Sequence, residues 1–114
     1  TSDNQEDHVS MGSISALKLD GLLSRVEAVV GLEMITAARA LQYITRPELA
    51  ARNGRQALNL SGPMADLMTE LKTIIDVEPG DKPLTDDITA ISAWLRHGSL
   101  PGATRDCLLT LQLD

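Results

Sequence analysis

Apolar positions along the chain follow helical spacing, and the breaks between them are marked by proline and glycine. From about Ser13 to Thr45 there is no proline, and Leu19, Leu22, Leu23, Val26, Val29, Val30, Ala37, Leu41 and Ile44 recur at helical intervals. Leu17, Leu32, Met34 and Ile35 place apolar groups on further faces, which predicts a helix buried on more than one side. At 1.5 Å per residue such a rod is roughly 50 Å long. A compact domain of this size has a radius of gyration near 13 Å, hence a diameter of about 35 Å. The rod is therefore expected to overhang its own domain and to need partners outside this chain. Gly21, Gly31 and the cluster Ala37, Ala38 and Ala40 would let neighbouring helices approach closely. A break near Gly31 would instead give an antiparallel pair; the unbroken rod is the expectation.

Arg46-Pro47 ends the rod, because proline disfavours helix in the residue before it. A short helix is predicted over about Glu48 to Leu58. Gly62-Pro63 opens another, whose stripe of Met64, Leu67, Met68, Leu71, Ile74 and Ile75 runs to about Asp76. Glu78-Pro79-Gly80-Asp81-Lys82-Pro83 is a loop. Thr85 is the expected N-cap of the next helix, with Asp86 and Asp87 in its first turn. That helix carries Ile88, Ile91, Trp94 and Leu95, ends with Arg96 and His97, and has Gly98 at its C-cap. Residues 99–114 receive no assignment. The fold class is all-α: one very long helix plus shorter ones, with no internal repeat.

Composition sharpens this picture. The chain is 43% hydrophobic, yet Tyr43 and Trp94 are its only aromatic residues, so the core is aliphatic. Such residues fill helical interfaces well, whereas strands are richer in aromatic and β-branched types. Sixteen acidic against ten basic residues give a formal net charge of −6, which repels phosphate backbones and argues against nucleic-acid binding. A single cysteine, Cys107, excludes an internal disulfide and a cysteine-rich metal site. No apolar run approaches a membrane span, and the opening residues are too polar for a signal peptide. A cytoplasmic protein with no membrane partner is expected.

The usual catalytic strings are absent: there is no HExxH, GxSxG, Walker loop or dinucleotide fingerprint. His8 and His97 lie far apart, and no metal site is expected. What remains is the polar opening from Asn4 to Gly12. On residue chemistry alone it reads as a solvated lead-in to a helix, with Asp7 near the N-terminus and Ser10 or Ser13 as cap.

The string Gln5-Glu6-Asp7-His8-Val9-Ser10-Met11-Gly12 changes that reading. It resembles the signature of the histidine, phenylalanine and tyrosine ammonia-lyase and 2,3-aminomutase family, in the form found in histidine ammonia-lyases. Ala40-Leu41-Gln42 and Asp81-Lys82-Pro83-Leu84 match that family in outline. Tyr43-Ile44-Thr45 stands where many of these lyases read Asp-Leu-Arg, and residues 46–61 match nothing in it firmly. The resemblance implies that this is the C-terminal part of a larger helical-bundle enzyme. Residues 1–12 would be an active-site loop segment, and residues 13–114 the C-terminal helical segment of the catalytic chain. It implies a homotetramer of long helices, in which the remainder of the enzyme is a partner of this chain. It also implies the cofactor 4-methylidene-imidazol-5-one (MIO), made by cyclisation of an internal Ala-Ser-Gly. The chain contains no Ala-Ser-Gly, and Leu60-Ser61-Gly62 is not taken as the precursor. No residue here binds that cofactor, Tyr43 does not match the family's catalytic tyrosine, and the chain alone is expected to be inactive.

By the same resemblance Glu6 occupies a position facing the substrate, as a catalytic and substrate-binding residue. An ionised carboxylate only accepts hydrogen bonds, which suits an imidazole N–H or a phenol O–H and not a bare phenyl ring. A role as acceptor of a proton from the substrate ammonium stays open. Gln5 is a second candidate for substrate contact, while Asn4, Asp7, His8 and Ser10 are expected to shape the segment. The activity implied is a carbon–nitrogen lyase reaction on a small aromatic amino acid, first of all L-histidine to urocanate and ammonia. A tyrosine ammonia-lyase or tyrosine 2,3-aminomutase is the nearest alternative. A non-catalytic helical interaction module is the alternative of another class.

Overall fold

The structure is a computed structural model that describes the backbone of residues 2–112 and the side chains of residues 11–111. Five helices follow one another: α1 (Ser2–Thr45), α2 (Pro47–Arg52), α3 (Gly62–Ile74), α4 (Thr85–His97) and α5 (Gly102–Gln112). Among the described residues there is no strand, so the all-α expectation holds. Helix α1 passes Gly31 without a break. It begins at Ser2 and not near Ser13, and Asp3, Glu6 and Asp7 in its first turns suit the positive end of the helix dipole.

The overhang is as large as the sequence requires. Forty-four residues make α1 about 66 Å long by the standard rise. The radius of gyration is 20.1 Å and the longest extent 72 Å, against about 13 Å for the radius of a compact chain of this size. Helix α1 packs on α4 and α2, and α3 packs on α5 and α4. The core is small and lies at the C-terminal end of the rod. Ile35 and Ala38 of α1 meet Met68 and Leu71 of α3, Ile75 and Val77 just beyond it, and Ile91 of α4.

Helix α1 thus divides near Gly31. Beyond it, Ile35 and Ala38 are buried; before it, Met11, Ile14, Leu17, Leu19, Leu22, Leu23, Val26, Val29 and Val30 are all exposed. At about 100° per residue these nine positions spread over about 240° of the helix circumference. The arc they leave is the stripe through Ser24, Glu27, Gly31, Ile35 and Ala38 that faces α4 and the core.

The ends of the shorter helices explain where local reading succeeded. Helix α2 stops at Arg52, short of Leu58, because Gly54 adopts φ 66°. There Gly54 N–H donates to Ala51 O and Arg55 N–H to Ala50 O, the paired bonds of a Schellman ending. The N-cap of α4 is Leu84 and not Thr85, and it makes no side-chain cap bond. Gly98 is the C-cap, but with φ −76° it has no need of glycine's left-handed freedom. Its requirement is space: a Cβ there would lie 2.5 Å from Trp94 O and 2.6 Å from Trp94 Cδ1. Helix α5 occupies the stretch without an assignment and is tied to α3 by Thr104, whose hydroxyl donates to Pro63 O at 2.7 Å.

Candidate functional site

The two sequence-derived site residues, Gln5 and Glu6, fall in the first turns of α1. Their side chains, and those of Asn4, Asp7, His8 and Ser10, lie outside the described residues. What the structure does describe is the scaffold that carries them, and the polar contacts that set the rod against the rest of the chain.

Two sets of contacts hold α1. Towards its C-terminal end, Arg39 Nε donates to Asp76 O at 3.0 Å and its Nη2 to Asp87 Oδ2 at 2.9 Å. Asp87 Oδ1 in turn accepts from Asp76 N at 3.0 Å. One guanidinium therefore joins α1, the end of α3 and the first turn of α4, and both side chains of the ion pair are only 14% exposed. The Asp76 carboxylate turns outward, accepting from Lys82 Nζ and from Glu78 N. The Lys82 hydrogen bond, followed by the Glu78 amide, holds the Asp76 carboxyl below the usual carboxylate range. Midway along α1, Arg96 at the end of α4 bonds Glu27 and the Ser24 hydroxyl.

A third set closes the turn after the rod. Arg46 donates to Glu48 and Glu78, both at 2.7 Å, and these bonds raise its pKa. Glu48 is lowered, by its own backbone N–H first and by Arg46 next. All three shifted groups are solvent-exposed, so the shifts report local ion pairing and not a buried proton donor.

Two clefts flank these contacts. One of about 400 Å³ runs between α1 and α4, lined by Ser24, Glu27, Thr89, Ser92, Arg96 and His97 among others. The other, about 370 Å³, lies beside Arg39 and Tyr43 against Pro79, Gly80 and Leu84. In neither does a nucleophile meet a base. Among the described residues no three His, Cys, Asp or Glu side chains gather to hold a metal. Cys107 is exposed on α5. No helix among the described residues is long and apolar enough to cross a membrane.

Leu60-Ser61-Gly62 sits at the start of α3, with Ser61 in the extended N-cap conformation and both Ser61 and Gly62 exposed. A self-cyclising tripeptide would need to be held in a tight, enclosed turn, and this one is not. Tyr43, in the last turn of α1, is 44% exposed and lines the cleft beside Arg39. The Arg39–Asp76–Asp87 clasp was not read from the sequence, because its partners lie 37 and 48 residues apart and follow no period.

The comparisons with known proteins bear on most of this scaffold. The family model described as aromatic amino acid lyase matches residues 1–62. Histidine ammonia-lyase of Sorangium cellulosum is 31% identical over 108 residues, covering 95% of this chain and 19% of that protein. Histidine ammonia-lyase 1 of Fusobacterium nucleatum is 36% identical over 100 residues, 88% of this chain and 17% of that protein. The histidine ammonia-lyase of Symbiobacterium thermophilum is 31% identical over 103 residues, 90% of this chain and 18% of that protein. No solved structure matches. The chain spans less than a fifth of the length of these curated relatives. With the family model covering more than half of the chain, including all of α1, the chain belongs to the aromatic amino acid lyase family.

Proposed function

We propose that this chain is the C-terminal portion of an ammonia-lyase that converts L-histidine to urocanate and ammonia. The observation that carries the reading is the match to proteins named histidine ammonia-lyase across 88–95% of the chain. The string Gln5 to Gly12, which lies within the residues matched by the family model, supports the same reading. Glu6 is the residue assigned to the substrate: its carboxylate accepts a hydrogen bond from the imidazole N–H, holding the ring in place. Gln5 supplies a second polar contact.

The electrophile this reading requires is MIO, which would supply an electron-poor centre for the substrate's amine. The residues of this chain do not fit the group. There is no Ala-Ser-Gly, and Leu60-Ser61-Gly62 is exposed at a helix start. The precursor therefore belongs to the rest of the enzyme, and the chain alone is inactive. The exposed apolar arc of α1 supports the same division, because only helices from outside the chain can cover it. A homotetramer built on such helices fits that need.

The test is direct. The complete enzyme, incubated with L-histidine, should release urocanate and ammonia in equal amounts. A folded enzyme that forms urocanate from no sample of histidine but releases ammonia from tyrosine would replace the substrate in this reading.

A further inference from the structure

Asn53 and Gly54 stand together at the end of α2, where Asn53 is the C-cap and Gly54 has φ 66°. All residues from Ala51 to Asn59 are exposed. Asparagine followed by glycine is the pair in which the main chain attacks the side chain most readily, because no Cβ shields the glycine nitrogen. The folded helix end opposes that attack in three ways. Gly54 N–H donates to Ala51 O and Arg55 N–H to Ala50 O, both at 3.0 Å. Asn53 Nδ2 donates to Leu49 O at 3.2 Å. With Asn53 at ψ 14°, the Gly54 nitrogen is turned well away from the Cβ it must eclipse for a ring to close. These restraints are exposed hydrogen bonds at the end of a helix of six residues, and such ends open at small cost.

We propose that Asn53-Gly54 is a site of spontaneous self-modification, gated by opening of the α2 C-terminus. In the opened segment the Gly54 amide nitrogen gives its proton to solvent base and bonds to Asn53 Cγ. The Cγ–Nδ2 bond breaks, and Nδ2 takes a proton from water and leaves as ammonia. The cyclic imide then takes up one water. Opening at Cγ gives aspartate; opening at the Asn53 main-chain carbonyl gives isoaspartate, in which the chain runs through Cγ. One water is consumed, one ammonia is released and nothing is oxidised or reduced.

Neither product restores the helix end. A carboxylate at position 53 cannot donate to Leu49 O, and its charge faces the negative end of the helix dipole. Isoaspartate also lengthens the main chain by one carbon, which shifts the Gly54 and Arg55 N–H groups out of register with Ala51 O and Ala50 O. The modification is thus a one-way loosening of the turn that follows α1. Two other positions on the chain serve as comparisons. Asn59 is equally exposed and lies outside any helix, but the side chain of Leu60 shields the nitrogen that would attack it. Asp20-Gly21 has the glycine, but it lies inside the unbroken α1, and an ionised carboxylate is a poor target for a nucleophile.

The experiment incubates the complete enzyme at mildly alkaline pH, folded and in urea, followed by peptide mass mapping and isoaspartate-specific methylation. The expected result in the folded enzyme is conversion at Asn53 before Asn59 and Asp20, roughly 10-fold slower than in urea. Asn53→Gln, whose longer side chain closes the ring far more slowly, should lose the signal from that peptide. Asn53 left intact in the folded enzyme after Asn59 has converted would overturn the proposal. Equal rates at Asn53 in folded and unfolded enzyme would overturn the gating by α2. A methylation signal that persists in Asn53→Gln would place the reaction elsewhere and sink the assignment.

Discussion

Gly31 of α1 lies so close to Ile91 of α4 that a Cβ on the glycine would stand 2.6 Å from Ile91 Cγ2. Ile91 is fully buried, with Trp94 and Ile88 of the same helix packed around the core it belongs to. The side chain therefore has nowhere to move. Alanine in place of a mid-helix glycine ordinarily gains up to about 1 kcal/mol in helix propensity. Overpacking a tight core contact costs about 1–3 kcal/mol. Here the contact is well inside van der Waals distance, so the cost should win. Gly31→Ala is expected to lower the stability of the complete enzyme by about 1–2 kcal/mol, read from urea unfolding at fixed protein concentration. An unchanged or raised midpoint would mean that α1 and α4 separate easily at this crossing.

The Arg39 clasp makes a different kind of prediction, because its strength comes from partial burial and not from packing. Both side chains of the Arg39–Asp87 pair are 14% exposed, and Arg39 also satisfies Asp76 O. Hydrogen bonds to charged groups are worth about 1.5–3 kcal/mol, more than surface pairs. Arg39→Ala should therefore cost about 2 kcal/mol, and a double-mutant cycle with Asp87→Asn should show a coupling near 1 kcal/mol. By contrast, Arg46→Ala removes only solvent-screened pairs with Glu48 and Glu78 and should cost clearly less. Equal losses for the two arginines would contradict this ranking.

These two cases show what the sequence could and could not reveal. The long rod was legible because Leu19 to Ile44 repeat at helical spacing and no proline interrupts them. Its unmet need for partners was legible too, from its length and from Leu17, Leu32, Met34 and Ile35 on further faces. The close crossing at Gly31 was foreseen only as permission for some neighbour to approach; that the neighbour is Ile91 needed the fold. The Schellman ending at Gly54 was missed because helical composition runs on through Ala51 and Arg52 to Leu58, and one glycine decided the matter. Helix α5 had no reading because Leu108, Leu109 and Leu111 make no buried stripe, and among its described side chains only Thr104 is buried. At the candidate site the string Gln5 to Gly12 was legible as a string alone, since the role of a single carboxylate has no period to betray it.

Acid should loosen the turn between α3 and α4. The Asp76 carboxyl has a depressed pKa in the folded chain, from Lys82 first and the Glu78 amide next. A group depressed on folding contributes its stability above the unfolded value, ordinarily 3.8, and loses it as the pH falls through the folded value. The contribution is therefore present at neutral pH and fades below about pH 4. Asp76→Asn, followed by melting temperature between pH 6 and pH 3, should give a shallower acid decline than the parent. Because the pair is exposed, raising the salt to about 1 M should narrow the difference between them. A decline of the same slope in both proteins would mean that Lys82 does not hold Asp76 in solution.

Glu6 carries the sharpest functional prediction. If its carboxylate accepts a hydrogen bond from the imidazole, Glu6→Gln keeps the size and one acceptor oxygen but loses the charge. Hydrogen bonds involving a charged partner are worth about 1.5–3 kcal/mol, so turnover of histidine by the complete enzyme should fall roughly 10- to 100-fold. Assembly should not change, because the substitution adds no volume and removes no apolar contact; the native mass checks that. A phenyl ring donates no hydrogen bond in that plane, and an unpaired buried carboxylate beside it is costly. The same variant should therefore improve the ratio of phenylalanine to histidine turnover, measured as kcat/KM for both. Parallel losses on the two substrates would assign Glu6 to the amino group, where the ring makes no difference. Unchanged turnover on histidine would remove Glu6 from the active site.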